Sequence, residues 1–206
     1  MKLYYSPGAC SLSPHIVLAE SGLPFELDKV DFSSMRSERG ADFSKVNPKG
    51  YVPVMELDDG EVLTEGSAIV QYIADQAPKK KLAPAAGTMA RYRLQEWLNF
   101  IATELHKGFS PLFNSKIPED MRAKTIERLS SRLDYAAKRL EGSNYLMGDG
   151  FTVADAYLFT ILRWAPGVKL DLSRWPTLVK YQERIAERPA VRHALEEEGL
   201  LEAAMH

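Results

Sequence analysis

The stretch that decides the fold runs from residue 2 to residue 30 and reads KLYYSPGACSLSPHIVLAESGLPFELDKV. Residues 2–5 have the pattern of a strand, and residues 12–21 show a helical pattern that ends at Gly22 and Pro24. Residues 25–30 again have the pattern of a strand. The stretch therefore predicts a βαβ unit.

A hairpin and a second helix come later in the same half of the chain. Two short apolar runs, residues 54–57 and 61–63, flank an Asp-Asp-Gly turn, and Asp-Gly between alternating apolar residues is a strong hairpin signal. A helical pattern over residues 65–77 then ends at Pro78. We therefore expect an α/β domain of order βαβ-ββα, with a four-stranded mixed sheet and helices on its faces.

The domain boundary is predicted where two prolines, a glycine and a lysine run interrupt every periodicity. We assign residues 1–80 to the first domain, residues 81–87 to a linker and residues 88–206 to the second domain. No strand pattern is present after the linker, so the second domain is predicted to be all-α. The expected helices cover residues 88–109, 119–141, 153–164, 176–187 and 189–198.

The composition excludes several classes of protein. With 45% hydrophobic and 26% charged residues the chain has the profile of an ordinary globular protein. A formal net charge of -2 offers no field to attract nucleic acid or an anionic membrane. The amino-terminal apolar run is too short for a signal peptide or a membrane span. The single cysteine excludes an internal disulfide, and the histidines are too dispersed for a zinc site. We expect a cytoplasmic protein without a structural metal.

Two further residues are assigned a structural role. The predicted helix over residues 153–164 is apolar on all sides, which indicates a fully buried helix. Thr152 and Asp155 precede and open it with the spacing of a capping box, in which each side chain bonds the backbone N–H of the other residue.

The one cysteine, Cys10, lies between the first strand and the first helix, beside Gly8 and Ser11. Backbone N–H groups and the helix dipole favour a negative charge there, and thiols at helix starts titrate at about 3.5 to 7.5 instead of about 8.5. The alternative is an inert buried cysteine. Since the chain has no second cysteine, any redox cycle must use the thiol of a small molecule.

Four segments together carry a family resemblance: YYSPGACSLSPH at residues 4–15, NPKGYVP at 47–53, LTEGSAI at 63–69 and FTVAD at 151–155. In this order and spacing the chain resembles the bacterial beta-class glutathione S-transferases over nearly its whole length. The resemblance implies a thioredoxin-like N-terminal domain, a helical C-terminal domain and a homodimer. It also implies glutathione as co-substrate in a cleft between the domains, a hydrophobic electrophile as second substrate, and no permanently bound cofactor.

The resemblance implies a set of glutathione-binding residues as well. A cis Val52–Pro53 peptide would turn the Val52 N–H and C=O toward an extended ligand, although a trans proline at an edge strand is the commoner arrangement. Glu65 would accept from the ligand ammonium and the N–H groups of Gly66 and Ser67 would hold its carboxylate, unless they form only a helix start. The full set is Cys10, Met35, Tyr51, Val52, Pro53, Glu65, Gly66, Ser67, Asn99, Thr103, Glu104 and His106.

Cys10 and His106 are the catalytic residues that the resemblance implies. Asn99, Thr103 and His106 fall on one polar line of a predicted helix, which by itself indicates a solvated stripe. In the family the histidine faces the sulfur, where it stabilises thiolate or moves a proton, and Glu104 belongs with Asn99 and Thr103 to the glutathione and intersubunit region.

One position, Met35, departs from the family pattern, and another, Tyr51, varies among family members. Met35 stands where the family commonly has a lysine that answers the glycyl carboxylate of glutathione, so either Arg36 substitutes or binding is weaker. Tyr51 is expected to line the second-substrate side.

Three functions are compatible with these residues. The first is conjugation of the glutathione thiol to hydrophobic electrophiles, as in detoxification. The second is glutathione-dependent reduction of disulfides or peroxides through a mixed disulfide at Cys10. The third is a non-catalytic binding module of the same fold.

Overall fold

The computed structural model describes residues 1–148 and 150–201, and it divides into two compact units. The first unit contains Met1–Ala83 together with the described residues from Glu187 onward, and the second contains Pro84–Ala186. The sequence analysis placed residues 88–206 in one helical domain. The structure corrects this boundary, because the last helix belongs to the first unit.

The first unit is built on a mixed sheet of five strands in the order β3-β2-β1-β4-β5. β1 pairs in parallel with β2, as a βαβ crossover requires, and the other three pairings are antiparallel. The four predicted strands are present, and a two-residue strand, β3, is added at the edge. The strands are β1 (Lys2–Tyr5), β2 (Glu26–Asp31), β3 (Arg36–Ser37), β4 (Val54–Glu56) and β5 (Val62–Thr64).

Among the described residues, the α-helices that accompany this sheet are α1 (Leu12–Ser21), α2 (Phe43–Val46), α3 (Gly66–Gln76) and α9 (Pro189–Glu197). Helix α1 is buried over most of its length and packs against both α3 and α9. It ends at Gly22, whose φ of 70° is the left-handed conformation that glycine adopts without steric cost.

Polar contacts explain why α9 joins the first unit. The ring of His15 is fully buried on α1, with Nδ1 2.9 Å from Glu198 Oε1 and Nε2 2.8 Å from Glu197 Oε2. The second oxygen of Glu198 accepts from the Gly8 N–H at 2.8 Å. A buried histidine with two carboxylate partners cannot be left unpaired without a large desolvation cost, so the last helix stays on α1.

The second unit is helical throughout its described part, as the sequence predicts. Its elements are α4 (Met89–Phe100), a π-helical turn (Ile101–His106), α5 (Lys107–Phe109), α6 (Glu119–Arg139), α7 (Val153–Leu162) and α8 (Pro176–Ala186). All ten residues of α7 are buried, so this helix is the centre of the unit. The continuous helix expected over residues 88–109 is instead interrupted by the π turn.

Asp155 is the polar centre of this apolar core. The helix carries a capping box with Thr152, whose N–H and hydroxyl donate to Asp155 Oδ2 at 2.9 and 3.0 Å. The other oxygen, Oδ1, accepts from the Leu146 N–H at 2.9 Å and the Tyr181 hydroxyl at 3.0 Å. Burial raises the pKa of Asp155, while these donors act in the opposite direction. One carboxylate thus joins α7 to α8 and to the segment before α7.

We expect Asp155→Ala to lower the free energy of unfolding by roughly 2–4 kcal/mol, because several buried donors lose their acceptor at once. Chemical denaturation and thermal melting measure the loss. Asp120→Ala is the matched control, since Asp120 is an exposed aspartate in the first turn of α6. An Asp155→Ala protein as stable as that control would contradict the assigned role.

Candidate functional site

The turn between β1 and α1 holds Cys10 in a fixed position. Ala9 N–H donates to Ser6 O at 3.0 Å, and the Ser11 hydroxyl accepts from Ser6 N–H and donates to Ser6 O. Cys10 is half-buried in this turn, immediately before the start of α1. Cys10 therefore lies on a hydrogen-bonded turn just before a helix N-terminus, and the residue is partly exposed to solvent.

The thiol of Cys10 contacts the segment that leads into β4. Its Sγ donates to the Val52 carbonyl oxygen at 3.3 Å. A carbonyl acceptor favours the protonated thiol, whereas the helix start favours the thiolate. The sequence indicates the helix start beside Cys10 but not this carbonyl partner.

The Val52–Pro53 peptide is cis, which confirms the expected isomer. The structure corrects one detail of the prediction, since the Val52 carbonyl does not face an empty site but accepts from Cys10. The Val52 N–H forms no hydrogen bond to any other residue that the structure describes. One backbone donor beside the thiol is therefore available to an extended ligand.

The start of α3 lies next to this segment. A Cβ built on Gly66 would lie 3.7 Å from Pro53 Cγ, which makes the helix start and the proline neighbours. The first hydrogen bonds of the helix run from the N–H groups of Ala68 and Ile69 to the Glu65 carbonyl, so those of Gly66 and Ser67 precede the helical ladder. Two N–H donors and the positive end of the dipole thus form an anion-binding arrangement.

Glu65 precedes this helix in a strained conformation, with φ 69° and ψ 113°. Positive φ is uncommon outside glycine, and such residues concentrate at functional sites. The side chain is exposed, and its Oε1 accepts from Lys49 Nζ and from the Tyr51 hydroxyl, both at 2.7 Å. The hydrogen bonds that Lys49 and Tyr51 donate to Glu65 raise the pKa of both groups.

Met35 stands at the position where the family resemblance implies a lysine, and Arg36 is its neighbour. Met35 has a φ of 52° and packs on the apolar cluster formed by Tyr4, Val30, Phe43, Val52 and Val54. Arg36 is exposed on β3 and donates to the Gly40 carbonyl at 3.3 Å. The Met35 side chain thus packs on apolar residues, while its carbonyl accepts from the Phe43 N–H at 2.9 Å.

His106 belongs to the second unit and lies half-buried among aromatic rings. Its Nδ1 lies 2.8 Å from the Tyr157 hydroxyl, and its ring meets that of Trp164 edge-on at 4.9 Å between centroids. Burial lowers the pKa of His106 from 6.5 to about 4, and the neighbouring Lys107 acts in the same direction. The imidazole is therefore neutral at neutral pH.

The π turn explains why His106 departs from the expected polar stripe. A helix of 3.6 residues per turn would place Asn99, Thr103 and His106 in line. The wider π turn adds a residue to the turn and changes the direction in which the later side chains point. Asn99 and Thr103 remain exposed, with Thr103 Oγ1 donating to Asn99 O at 2.9 Å, whereas His106 turns to Tyr157.

The other residue of this region, Glu104, is engaged by two arginines. Its Oε2 accepts from Arg132 Nε at 2.7 Å and from Arg128 at 3.4 Å. The hydrogen bond from Arg132 is the main reason that the pKa of Glu104 is lowered. Glu104 therefore stays ionised and fixed on the surface of the second unit.

The predicted site residues are thus divided between the two units. The first holds Cys10, Met35, Tyr51, Val52, Pro53, Glu65, Gly66 and Ser67, and the second holds Asn99, Thr103, Glu104 and His106. Sequence reasoning missed Lys49, although it lies inside the quoted NPKGYVP segment. It also treated Tyr157 only as a core residue of the buried helix.

Two classes of feature are absent from the described residues. Among residues 1–148 and 150–201, no group of three or more His, Cys, Asp or Glu side chains has an arrangement that would hold a metal ion. Within the same residues, no helix combines the length and the apolar character that a membrane span requires.

Family models match both halves of the chain. Residues 8–76 match the glutathione S-transferase N-terminal domain, and residues 100–189 match the glutathione S-transferase C-terminal domain. The glutathione S-transferase GstA of Escherichia coli O157:H7 is 50% identical over 200 residues, which cover 97% of this chain and all of GstA. The chain therefore belongs to the glutathione S-transferase family.

Solved structures agree with this assignment. The bacterial glutathione transferase BphK, in a ternary complex, superposes with a TM-score of 0.95 at 56% identity, covering 97% of this chain and 100% of BphK. A beta-class enzyme of Sphingomonas chungbukensis gives 0.93 at 46% identity, over 98% of this chain and 100% of that enzyme. The beta-class resemblance and the thioredoxin-like and helical domains that it implies are confirmed.

The neutral state of His106 gives a pH prediction. Its pKa is lower in the folded protein than the 6.5 of an unfolded histidine, so between about pH 6.5 and pH 4 the unfolded chain binds more protons. Stability is therefore lost as the pH falls through this window. We expect wild type to lose more free energy of unfolding between pH 7 and pH 5 than His106→Gln, as measured by urea denaturation.

An NMR titration of the ring checks the cause. The His106 resonance, assigned by its absence in His106→Gln, should titrate near pH 4. A midpoint close to 6.5 would contradict the effect of burial.

Proposed function

We propose that this glutathione transferase joins the glutathione thiol to electrophilic carbon atoms of hydrophobic small molecules, as part of detoxification. The observation that carries the proposal is the grouping in the first unit of a thiol-bearing turn, an available backbone donor and a helix start preceded by a carboxylate. These are the groups that a γ-glutamyl tripeptide requires.

Each part of the ligand has a partner of suitable chemistry. The Val52 N–H is proposed to bond the backbone of the central residue, as in strand addition. The N–H groups of Gly66 and Ser67 receive the γ-glutamyl carboxylate at the positive end of α3. Glu65 accepts from the ammonium group, and the ligand sulfur lies toward Cys10.

The reaction requires the ligand thiol to lose a proton before its sulfur attacks. A carbon–sulfur bond forms, and with an aryl halide the halide leaves while the thiol proton passes to a base or to water. For His106 we propose the catalytic role that the family resemblance implies. Because its imidazole is neutral at neutral pH, it acts as a hydrogen-bond partner or proton acceptor and contributes no positive charge.

Cys10 supports a second candidate activity, the reduction of disulfides with glutathione. In the first step the Cys10 sulfur attacks the glutathione sulfur of a mixed disulfide between glutathione and a substrate. This forms a Cys10–glutathione disulfide and releases the substrate thiol. The thiol of a second glutathione then attacks the glutathione sulfur of this disulfide, which restores the Cys10 thiol and yields oxidised glutathione. The half-buried thiol on a rigid turn favours this candidate, and the absence of a second cysteine makes the external thiol necessary.

The proposal includes a homodimer in the cytoplasm with no permanently bound cofactor. The homodimer and the lack of a resident cofactor are carried over from the family resemblance. The cytoplasmic location rests on the cysteine content, since a single cysteine cannot form an internal disulfide.

We expect Cys10→Ser to retain conjugation of glutathione to an aryl halide within about tenfold and to lose glutathione-dependent disulfide reduction. Conjugation needs the ligand thiol, whereas reduction needs the Cys10 sulfur itself. Both rates are measured on the same preparations. Loss of both would make Cys10 central to each reaction, and loss of neither would leave it a packing residue. A wild-type protein that neither binds immobilised glutathione nor conjugates would refute the proposed function.

Removal of the Glu65 charge should act on binding. We expect Glu65→Gln to raise the KM for glutathione about tenfold with a smaller change in kcat, because a charge-assisted hydrogen bond to the ammonium is lost. Steady-state kinetics at varied glutathione measures both. Glu61→Gln, at an exposed glutamate of the β4–β5 hairpin, is the control. Equal KM values for the two variants would remove Glu65 from the binding site.

A further inference from the structure

The carboxylate that is proposed to receive the ligand ammonium already holds an ammonium of the chain. Lys49 Nζ lies 2.7 Å from Glu65 Oε1 and 3.0 Å from Thr64 Oγ1. The Tyr51 hydroxyl donates to the same carboxylate oxygen at 2.7 Å. A primary ammonium bonded to Glu65 is chemically the same group that a γ-glutamyl ligand would present there.

The backbone of this loop is held so that Lys49 reaches Glu65. The buried Asn47 accepts from the Lys49 N–H at 3.1 Å and donates to the Tyr51 carbonyl at 2.7 Å. Gly50, with a φ of 74°, closes the turn by donating to the Asn47 carbonyl at 2.9 Å. The side chain of Asn47 thus fixes both residues whose side chains bond Glu65.

The Lys49 ammonium is held in a way that permits exchange. Its side chain is 48% exposed and that of Glu65 is 59% exposed, so the displaced ammonium passes directly into water. Exposed ion pairs of this kind contribute little to stability. The Nζ also lies 5.8 Å from the centre of the Tyr51 ring, a second favourable environment on the same loop.

We propose that Lys49 is a resident substitute for the ligand ammonium, and that it determines how strictly the site requires a free amino group. This inference rests on the proposed function. A ligand with an ammonium exchanges one cation for another at Glu65, so it gains less from that contact than it would if Lys49 were absent. A ligand without an ammonium group leaves the Lys49–Glu65 pair intact, so its binding does not carry the free-energy cost of an unpaired Glu65 carboxylate.

Removal of the Lys49 charge should therefore sharpen the selectivity. Calorimetric titration measures the Kd of glutathione and of N-acetylglutathione for wild type and Lys49→Met. We expect the ratio of the two Kd values to rise by up to about fivefold in Lys49→Met, mainly because glutathione binds more tightly. The bulk of the acetyl group affects both proteins alike and cancels in this comparison.

Lys45→Met is the matched control. Lys45 is an exposed lysine of the same unit, and its partner is Asp42 at 3.5 Å. Its loss should leave the wild-type ratio unchanged. Lys49→Gln provides a second neutral variant with a polar side chain and should match Lys49→Met.

Two results would overturn the inference while the proposed function stands. One is an unchanged ratio in both Lys49 variants. The other is weaker glutathione binding with unchanged binding of N-acetylglutathione, since Lys49 would then contact the ligand directly. A wild-type protein that binds neither ligand would instead refute the proposed function, and the inference with it.

Discussion

The antiparallel pairing of β1 with β4 is the constraint on which the candidate site of the first unit depends. The turn after β1 meets the segment before β4 through the Cys10 thiol, which donates to the Val52 carbonyl at 3.3 Å. These two strands are antiparallel neighbours, with Tyr4 opposite Val54, so the sheet itself places the two segments side by side. Strand pairing brings together the backbone positions of the thiol, the Val52 N–H and the start of α3, and the side chains extend only a short distance from these positions.

The same turn is supported from the opposite end of the chain. Glu198 bonds His15 with one carboxylate oxygen and the Gly8 N–H with the other. Gly8 is two residues before Cys10, and the Leu200 side chain lies close to the position of a Cβ on Gly8. The bidentate Arg188–Glu20 pair adds a further link between the final helical segment and α1. The position of the thiol therefore depends on residues that lie far away in sequence.

The parts of the fold that depend on local pattern could be predicted from the sequence. The strands around the Asp-Gly hairpin, the largely apolar helix at residues 153–162 and the pairing of Thr152 with Asp155 each depend on a few adjacent residues. Strand β3 could not be predicted in this way, because Arg36 and Ser37 have no apolar alternation and Ser37 is held by a hydrogen bond to Asp28. The return of α9 depends on partners about 180 residues apart, which no periodicity records.

The candidate site was predictable in residue identity more than in geometry. The family segments indicated Cys10 and Glu65. They did not indicate that Cys10 already bonds the Val52 carbonyl, or that Glu65 already bonds Lys49. The π turn is the clearest case. It leaves no signature in a helical repeat, yet it moves His106 from a polar stripe to a place beside Tyr157 and Trp164.

The two-segment construction of the first unit has a consequence for biosynthesis. A ribosome releases the β1–α1 turn early, but Glu197 and Glu198 emerge only after the whole helical unit has been made. Until then His15 has no carboxylate partners and the Gly8 N–H has no acceptor, so the nascent first segment lacks two of the supports of its thiol turn. The contacts around the Cys10 turn are therefore completed only after the helix that carries Glu197 and its neighbour Glu198 have been synthesised.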